Sequence, residues 1–240
     1  MDYWFKAIGS RFELPSDTEQ ELHETGFIVV PEALPSGQLT QLTAAYDTAV
    51  CAARPENISV GSTTTRVSNV VNCGVGFDQL YINPQILGAC YSVIARPFKL
   101  STMHARSVHP HAPAQSLHVD FPRYDDGWPM VGFIIMIDPF RCDNGATRFV
   151  PRSHNTASSL SDPAAADKPS VTANGPAGSM IIYNGSIWHG HSANRTGEPR
   201  RSIQGAYIRR DAEAAVNYAE QINQETLRRI SPLAKYLLAI

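Results

Sequence analysis

The segment SLHVDF, residues 116 to 121, places an imidazole and a carboxylate two positions apart within a short apolar run. In an extended chain, alternate side chains point to the same side. His118 and Asp120 are therefore expected to share one face of a strand, opposite the apolar residues around them. Both side chains can ligate metals and transfer protons. A buried histidine–aspartate pair that only satisfies its own hydrogen bonds is the alternative interpretation.

A second histidine-bearing segment follows about seventy residues after this pair. Residues 178 to 191, GSMIIYNGSIWHGH, predict a strand, an Asn-Gly turn and a second strand. Two imidazoles and one carboxylate on the strands of a β core form the facial ligand triad of non-haem Fe(II) enzymes, which keeps coordination positions open. His118, Asp120 and His189 are the predicted metal ligands and catalytic residues.

An arginine near these residues could help to hold a ligand that occupies the open metal positions. A guanidinium binds a carboxylate through two parallel hydrogen bonds. Arg200 lies eleven positions after His189, at the expected start of a strand. It is the predicted anchor for the far carboxylate of a dicarboxylic acid whose other end chelates the metal.

The chain around these residues predicts a β core that holds them. Seven short strand-like runs with turns between them indicate a sandwich or barrel, for which a double-sheet jelly roll is the natural closed form. The runs cover residues 98–103, 115–121, 130–137, 147–151, 179–183, 186–191 and 202–208. We expect one domain over residues 1–240, with N-terminal helices at about 16–96, the β core at about 97–208 and C-terminal helices at about 211–240. The fold class is mainly β with flanking helices, a cupin-like double-stranded β-helix.

Helix signals flank this core. Ser16 and Glu19 have the spacing of a capping box, and Gly26 is expected to end the helix that they open. Pro84 is expected to open another helix. Asp211 is expected to cap the first C-terminal helix.

The segments that carry these residues resemble the phytanoyl-CoA dioxygenase family of Fe(II)- and 2-oxoglutarate-dependent oxygenases. The resemblance runs over most of the chain. The matching segments are GFIVVPEALPSGQLTQL (26–42), QSLHVD (115–120), DNGATRFVPRSH (143–154), GPAGSMIIYNGSIWHG (175–190) and NRTGEPRRS (194–202). The HxD spacing alone is common, whereas the whole set with these surroundings is specific.

The resemblance implies a role for each matching residue. His118 and Asp120 match the family's HxD pair, and His189 matches its distal histidine. Arg200 matches the arginine that binds the distal carboxylate of 2-oxoglutarate. The implied cofactors are Fe(II), 2-oxoglutarate as cosubstrate, and O2.

Four further positions bear on cosubstrate binding or differ from the family. Gln115 and Thr147 match positions that often contact the cosubstrate. His191 stands where the family often has a serine that touches the cosubstrate carboxylate, so we expect it to contact cosubstrate or substrate. Arg152 replaces the glycine of the family's PGSH turn, and the shape of that turn is expected to change.

The resemblance implies an oxidoreductase that hydroxylates, or otherwise oxidises, an unactivated C–H bond and releases succinate and CO2. A glycine or alanine at position 120 would leave room for chloride, so Asp120 favours oxygenation over halogenation. The chain has no evident nucleotide-binding motif. A small metabolite or natural-product intermediate is therefore favoured as substrate over an acyl-CoA, with a role in biosynthesis.

Three other interpretations remain open. His189 and His191 have the H-x-H spacing with which some zinc hydratases present two imidazoles, so a zinc site with one further ligand is a rival. A cupin-like metalloenzyme that does not use 2-oxoglutarate is the second, although it would have no need of Arg200. A catalytically inactive binding protein of the same fold is the third.

Composition limits the classes of partner. The chain has 240 residues, 43% of them hydrophobic, and a net charge of −2 with both signs mixed, which does not favour nucleic-acid binding. The N-terminus lacks the apolar core of a signal peptide, and the longest apolar run, residues 131–137, is too short to span a bilayer. We expect a soluble, cytoplasmic protein that binds a small-molecule substrate, but neither nucleic acid nor membrane. A homodimer is left open.

Two other features carry structural expectations only. Cys51, Cys73, Cys90 and Cys142 form no CxxC pair and are expected to be free, buried thiols. The Pro/Ala/Ser-rich residues 156–176 predict a long loop, which is typical of a functional or mobile segment.

Overall fold

Ten strands and seven helices are present in the parts of the chain that the computed structural model describes, residues 2–156 and 168–240. The strands are β1 (Phe27–Val30), β2 (Ile58–Val60), β3 (Thr64–Val67), β4 (Phe98–Val108), β5 (Met130–Met136), β6 (Thr147–Phe149), β7 (Val171–Thr172), β8 (Met180–Asn184), β9 (His189–His191) and β10 (Arg200–Arg209). The helices are α1 (Tyr3–Arg11), α2 (Ser16–Thr25), α3 (Ser36–Cys51), α4 (Pro84–Ile94), α5 (Tyr218–Gln221), α6 (Gln224–Arg229) and α7 (Pro232–Leu237).

The strands form two antiparallel sheets. The large sheet has the order β1-β8-β5-β10-β4-β3-β2, and the small sheet has the order β7-β6-β9. The longest ladder joins β4 to β10, where Arg200 lies opposite Val108 and Gln204 lies opposite His104. Apart from the β2–β3 hairpin, the paired strands of the large sheet are far apart in the chain, so their pairing brings sequence-distant residues together.

The central strand β5 is buried along its whole length because it is covered on both faces. Phe133 and Ile135 belong to the apolar cluster that includes the helices. Ile134 and Met136 belong to a second cluster, which they share with Phe149 of the small sheet. A strand covered on both faces has a continuous apolar run. The layers are thus helices, large sheet and small sheet, and the two sheets face each other.

Two helices have the ends that the sequence predicts, with one difference in capping. Helix α2 ends at Gly26, whose φ of 90° is the left-handed conformation that favours glycine. The predicted capping box at its start is wrong, because Pro15 occupies the N-cap and the Ser16 hydroxyl donates to Asp17. Helix α4 is capped by the side chain of Asn83, which accepts two backbone N–H bonds.

The N-terminal region at about 16–96, where helices are expected, also contributes strands to the large sheet. Strands β1, β2 and β3 all lie within that region and all belong to the large sheet. Helix α1 also begins at Tyr3, well before the expected start of the helices at residue 16. The sequences of β2 and β3 are short and rich in Ser, Thr and Arg, and such strands lack a clear alternation of apolar and polar residues.

The predicted helix from Asp211 is also wrong at its start, because α5 begins only at Tyr218. The residues before it lie against β4 instead. The Ala215 N–H donates to the Ser101 hydroxyl, and the Val216 N–H donates to the Ser101 carbonyl. These bonds to β4 replace the helical bonds of that segment.

The cysteine prediction is correct for bonding and mostly wrong for burial. All four cysteines are free, but only Cys90 is buried, whereas Cys51, Cys73 and Cys142 are exposed. The predicted loop at 156–176 lies largely outside the described residues, and its last part contains β7. Within the described parts of the chain, no helix has the length and apolar character needed to cross a membrane.

Candidate active site

The HxD segment pairs with β9 at one isolated bridge between His118 and His189. The His118 N–H donates to the His189 carbonyl at 3.0 Å, and the His189 N–H donates back at 2.9 Å. The predicted strand over 115–121 is wrong as a regular strand, since only this isolated bridge forms. Directly after the bridge, the N–H groups of Asp120 and the next residue both turn to the Gly185 carbonyl, which ends the ladder. The bridge nevertheless sets His118 opposite His189.

Gly190 allows this close approach. A Cβ at Gly190 would lie 3.1 Å from the Ser116 carbonyl oxygen and 3.2 Å from that of Gln115. Beside Gly190, the Gln115 N–H also donates a hydrogen bond to the His191 carbonyl. A side chain between the two histidines of WHGH would therefore push the HxD segment away from β9.

The alternation that the sequence predicted persists although the segment is not a regular strand. Leu117 and Val119 are buried in a small cluster with Val150 and Trp188. His118 and Asp120, at the positions between and after them, line a cavity on the other side. Burying the two apolar side chains thus fixes which way the two polar ones point.

Three side chains converge at this cavity with metal-ligand geometry. The donor atoms of His118, Asp120 and His189 all lie within 4.8 Å of one another, and the described residues contain no other such group of His, Cys, Asp or Glu. The His118 Nε2 atom is 3.8 Å from the Asp120 Oδ1 atom, and the His189 Nε2 atom is 3.5 Å from its Oδ2 atom. The structure therefore brings together the three predicted ligands.

Backbone carbonyls fix the tautomer of both histidines. The Nδ1 atom of His118 is 3.2 Å from the Ser116 carbonyl, and that of His189 is 3.0 Å from the Ile187 carbonyl. A carbonyl only accepts, so each Nδ1 is the nitrogen that donates, and each Nε2 is the nitrogen left to face a metal. Two imidazoles and one carboxylate are the donor set that fits Fe(II).

The protonation state of Asp120 also suits a metal ligand. Burial by itself would raise its pKa, but the neighbouring His189 and His118, and then a hydrogen bond from Tyr183, bring the pKa below its ordinary value. The Tyr183 hydroxyl donates to Oδ2 at 2.7 Å. Burial and the adjacent His189 lower the pKa of His118. Ligands that are already deprotonated at neutral pH need release no proton when a metal binds.

Tyr183 reaches Asp120 because β5 leaves room for its ring. A Cβ on Gly132, which lies opposite Tyr183 in the sheet, would collide with the ring. Replacing Tyr183 by phenylalanine is expected to weaken Fe(II) binding about tenfold, since a hydrogen bond to a ligating carboxylate typically contributes about ten- to a hundredfold in affinity. Anaerobic competition with a chelator measures that affinity.

Tyr207→Phe is the matched control for this prediction. The Tyr207 hydroxyl is also buried, but it donates to the Tyr81 carbonyl within the apolar cluster of the helices. Its removal should leave the metal affinity unchanged. An unchanged metal affinity in Tyr183→Phe would show that this hydrogen bond does not orient Asp120.

A narrow cavity of about 10 Å³ lies between His189 of the triad and Arg200. Its lining includes His189 and all four residues predicted to contact the cosubstrate, which are Gln115, Thr147, His191 and Arg200. Thr147 and His191 are direct neighbours across the β6–β9 ladder. The structure thus gathers the predicted cosubstrate residues in one place, and their roles remain predictions.

Arg200 is a buried cation that has no acidic partner among the described residues. It is 1% exposed, and its guanidinium lies 4.0 Å from the ring centre of Phe140. It donates to the Ser202 hydroxyl at 3.1 Å and to the Gly145 carbonyl at 2.8 Å, while its buried Nε has no partner among the described residues. Burial, and then Arg106, lower its pKa to about 9. A buried charge is costly unless it is paired, so this position suits a ligand carboxylate.

His191 does not join the metal group. Its Nδ1 lies 2.9 Å from the Ser192 carbonyl, and its Nε2 lies 3.1 Å from the Thr63 hydroxyl. Burial lowers its pKa to about 4, so the ring is neutral. With both nitrogens engaged, the rival zinc site built on His189 and His191 finds no support in the described part of the chain.

The turn at Arg152 keeps the conformation that glycine favours. Its φ is 68°, in the left-handed region, and its N–H donates to the Thr25 carbonyl at 2.8 Å. A non-glycine residue there is strained but accommodated. The expected difference in shape from the family's turn stays a prediction.

Several residues around the site were missed or left undecided by the sequence analysis. Tyr183, Arg106 and Gln204 all line the cavities beside the triad. Their signal is a polar residue at an inward position of an otherwise apolar strand, as in the alternation of Arg200, Ser202 and Gln204 along β10. Such polar positions within buried strands point to a site.

A second, wider cavity of about 790 Å³ opens on the other side of the triad. It borders His118, Asp120 and His189, and Phe121 and Tyr124 also line it. Its size is within the range of small-molecule sites, about 300–1,000 Å³. The triad therefore lies between a narrow cavity that ends at Arg200 and a wide one.

Comparison with known proteins places this geometry in a family. Dioxygenase olcK of Penicillium canescens is 28% identical over 207 residues, which cover 78% of this chain and 68% of that protein. Dioxygenase cdmA of Talaromyces verruculosus is 28% identical over 158 residues, 61% of this chain and 53% of that protein. The chain thus spans about half the length of cdmA and about two thirds of olcK.

Solved structures share the fold at low identity. The carbocyclase SnoK from nogalamycin biosynthesis has a TM-score of 0.72 at 18% identity, covering 91% of this chain and 92% of that one. HygX from Streptomyces hygroscopicus, with nickel, 2-oxoglutarate and hygromycin B bound, has a TM-score of 0.69 at 15% identity, covering 84% and 90%. These likenesses confirm the predicted jelly-roll fold class.

The family model gives the broadest match. The phytanoyl-CoA dioxygenase (PhyH) model matches residues 22–202, a span that begins within α2, contains β1 to β9 and ends within β10. All three triad residues and Arg200 lie inside that span. The resemblance seen in the sequence is therefore confirmed, and the chain belongs to the phytanoyl-CoA dioxygenase family.

Proposed function

We propose that the protein is an Fe(II)- and 2-oxoglutarate-dependent dioxygenase that oxidises an unactivated C–H bond of a small metabolite or natural-product intermediate, with release of succinate and CO2. The observation that carries this proposal is the convergence of His118, Asp120 and His189 beside a narrow cavity with Arg200 in its lining. Membership of the phytanoyl-CoA dioxygenase family supports it.

The residues present fit both cofactors. Fe(II) would be held by His118, Asp120 and His189, and Arg200 would bind the distal carboxylate of 2-oxoglutarate. When bound, the metal and the keto acid supply the activation of dioxygen and the oxidative decarboxylation. Phe140 excludes water from one face of the Arg200 guanidinium, which strengthens its pairing with an anion.

The side chains around the triad set its chemistry in three ways. Carbonyl bonds to the two Nδ1 atoms orient the imidazole rings with Nε2 towards the metal site, and the Tyr183 hydroxyl donates to Asp120. The carboxylate at position 120 occupies the place that a halide would need, which favours oxygen transfer over halogenation. The wide cavity gives a substrate direct access to the triad.

The substrate class rests on the cavity and on the relatives. A volume of about 790 Å³ accommodates a drug-sized molecule. The relatives with a printed function are dioxygenases, such as the Fe(II)/2-oxoglutarate-dependent dioxygenase nvfF of Aspergillus novofumigatus, 24% identical over 93% of this chain and 81% of that protein. SnoN was solved with Fe3+, alpha ketoglutarate and nogalamycin RO, at 18% identity and a TM-score of 0.67, covering 85% of this chain and 84% of that one. These names support a small-molecule partner.

Anaerobic titration with Fe(II) and then 2-oxoglutarate tests the proposal. We expect a weak visible charge-transfer band when the keto acid chelates the iron. The band should be absent in His118→Ala and retained in the control His111→Asn. His111 is exposed and has a left-handed backbone conformation, which asparagine tolerates. Iron that binds without the band would contradict the cosubstrate assignment and leave the cupin-like alternative.

A further inference from the structure

Two arginines face each other across the β3–β4 ladder beside the wide cavity. The register pairs Arg66 directly with Arg106, and both side chains line the cavity. Like charges directly opposite each other destabilise a strand pair. Neither arginine forms an ion pair with any acidic side chain of the described residues. The sheet therefore holds two unneutralised positive charges at one wall of the cavity.

Arg106 is the buried member of the pair. It is 8% exposed, and its terminal nitrogens donate to amide oxygens, 3.0 Å from Gln204 and 3.2 Å from Gln115. Its Nε is buried and has no partner among the described residues. Burial, and then the charge of Arg66, lower its pKa to about 10, so it stays protonated at neutral pH. Neutral amides orient this guanidinium but leave its charge uncompensated.

Arg66 is the exposed member, and its side chain makes no hydrogen bond or ion pair with the described residues. It also lines an adjoining groove of about 370 Å³. His104, two positions from Arg106 on β4, lines both the cavity and the groove, and its buried Nε2 has no partner in the described parts of the protein. The wall thus offers one exposed cation, one buried cation and one imidazole nitrogen without a partner among the described residues.

The acidic groups at the cavity do not neutralise this wall. Only Asp120 and Glu213 contribute carboxylates to the lining. Asp120 accepts the Tyr183 hydroxyl bond and belongs to the metal group. Glu213 is exposed, and none of the ion pairs in the described residues joins it to Arg66 or Arg106. An anionic ligand is the remaining way to balance the two charges.

We infer that the oxidised substrate carries a carboxylate group, which Arg66 and Arg106 bind at the β3–β4 wall of the wide cavity. A pair of guanidinium groups suits a carboxylate because each presents a planar fork of donors. That the bound carboxylic acid is the substrate rests on the proposed function. The carboxylate site itself can be tested without turnover. The keto-acid end of 2-oxoglutarate is a second source of a carboxylate, since Arg106 also lines the narrow cavity.

The experiment measures binding of carboxylates and of their neutral amides. The probes are propionate, benzoate, 4-phenylbutyrate and decanoate, each compared with its own amide by titration calorimetry at fixed ionic strength. The protein is loaded with Ni(II) and saturated with 2-oxoglutarate, so that no turnover occurs and the narrow cavity is filled. We expect at least one carboxylate to bind about tenfold more tightly than its amide.

Variants assign the binding to the wall. Arg66→Gln should weaken the carboxylate about tenfold and leave its amide unchanged, because one charge-assisted hydrogen-bond pair is lost. Arg228→Gln, which removes another exposed arginine on α6, should change neither. Arg66→Glu should reverse the preference in favour of 4-phenylbutylamine.

Three results would overturn the inference. One is that no carboxylate binds better than its amide. A second is that Arg66→Gln binds the carboxylate as the unchanged protein does. The third is that Arg66→Gln weakens 2-oxoglutarate instead of the probe, which would assign the wall to the cosubstrate. If 2-oxoglutarate fails to bind at all, the proposed function fails. The titration is then run without 2-oxoglutarate on Arg200→Gln. Probe binding that still depends on Arg66 in this variant would uphold the carboxylate site.

Discussion

Replacing Asp120 by glycine is expected to abolish Fe(II) binding at the triad and succinate formation. The change removes the only carboxylate among the three ligands and leaves two imidazoles to hold the metal. It also leaves the buried Tyr183 hydroxyl without its acceptor. Loss of a hydrogen bond to a metal ligand costs about ten- to a hundredfold in affinity, so loss of the ligand itself should exceed about a hundredfold.

Anaerobic metal titration and a 2-oxoglutarate turnover assay measure the two losses separately. Asp125→Gly is the matched control, because Asp125 is an exposed aspartate five positions along the chain in the turn after the HxD segment. It should bind Fe(II) and form succinate as the unchanged protein does. Oxidation of the native substrate by Asp120→Gly would show that the triad is assigned wrongly.

The triad could be predicted because its signal is local in each segment. The alternation of LHVD survives even though no regular strand forms, since Leu117 and Val119 still need burial on the side opposite the histidine. The strand, Asn-Gly turn and strand predicted over residues 178–191 also form, as β8 and β9. The second strand, β9, starts later than predicted, at His189. Burial of apolar neighbours and turn chemistry are short-range effects, and they fix the direction of a ligand side chain without knowledge of the whole fold.

The surroundings of the triad could not be predicted, because they depend on sheet register. Nothing local relates Arg66 to Arg106, forty positions apart in the sequence, yet the β3–β4 ladder makes them direct neighbours. The short polar strand β3 has no periodicity that would have revealed it as a strand. The sequence predicts Tyr183 only as part of a strand. Its role follows from the fold, which brings its hydroxyl within hydrogen-bonding distance of Asp120.

The same limit explains the errors at both ends of the chain. Residues 211–217 have helix-forming alanines, but their backbone bonds go to Ser101 on β4. Tertiary contacts override weak helix propensity in such a short segment. Strand β1 pairs with β8 and strand β3 pairs with β4, so the N-terminal region supplies strands to the large sheet as well as helices.

Replacing Arg200 by glutamine is expected to raise the KM for 2-oxoglutarate about a hundredfold, because two charge-assisted hydrogen bonds to the distal carboxylate are lost. The same change should not lower the thermal stability of the protein without cosubstrate. Arg200 is 1% exposed and has no acidic partner in the described part of the chain, so its unpaired charge destabilises the protein without cosubstrate, and glutamine removes that charge.

The adjacent Arg201 provides the control with the opposite behaviour. Its guanidinium forms ion pairs with Asp138 at 2.8 Å and Asp47 at 2.7 Å, so Arg201→Gln should lower stability and leave the KM for 2-oxoglutarate unchanged. Steady-state kinetics and thermal unfolding of the two variants separate a binding role from a structural one. If Arg200→Gln instead loses stability and keeps the KM, then Arg200 supports the fold through its bonds to Gly145 and Ser202, and the dicarboxylate anchor lies elsewhere.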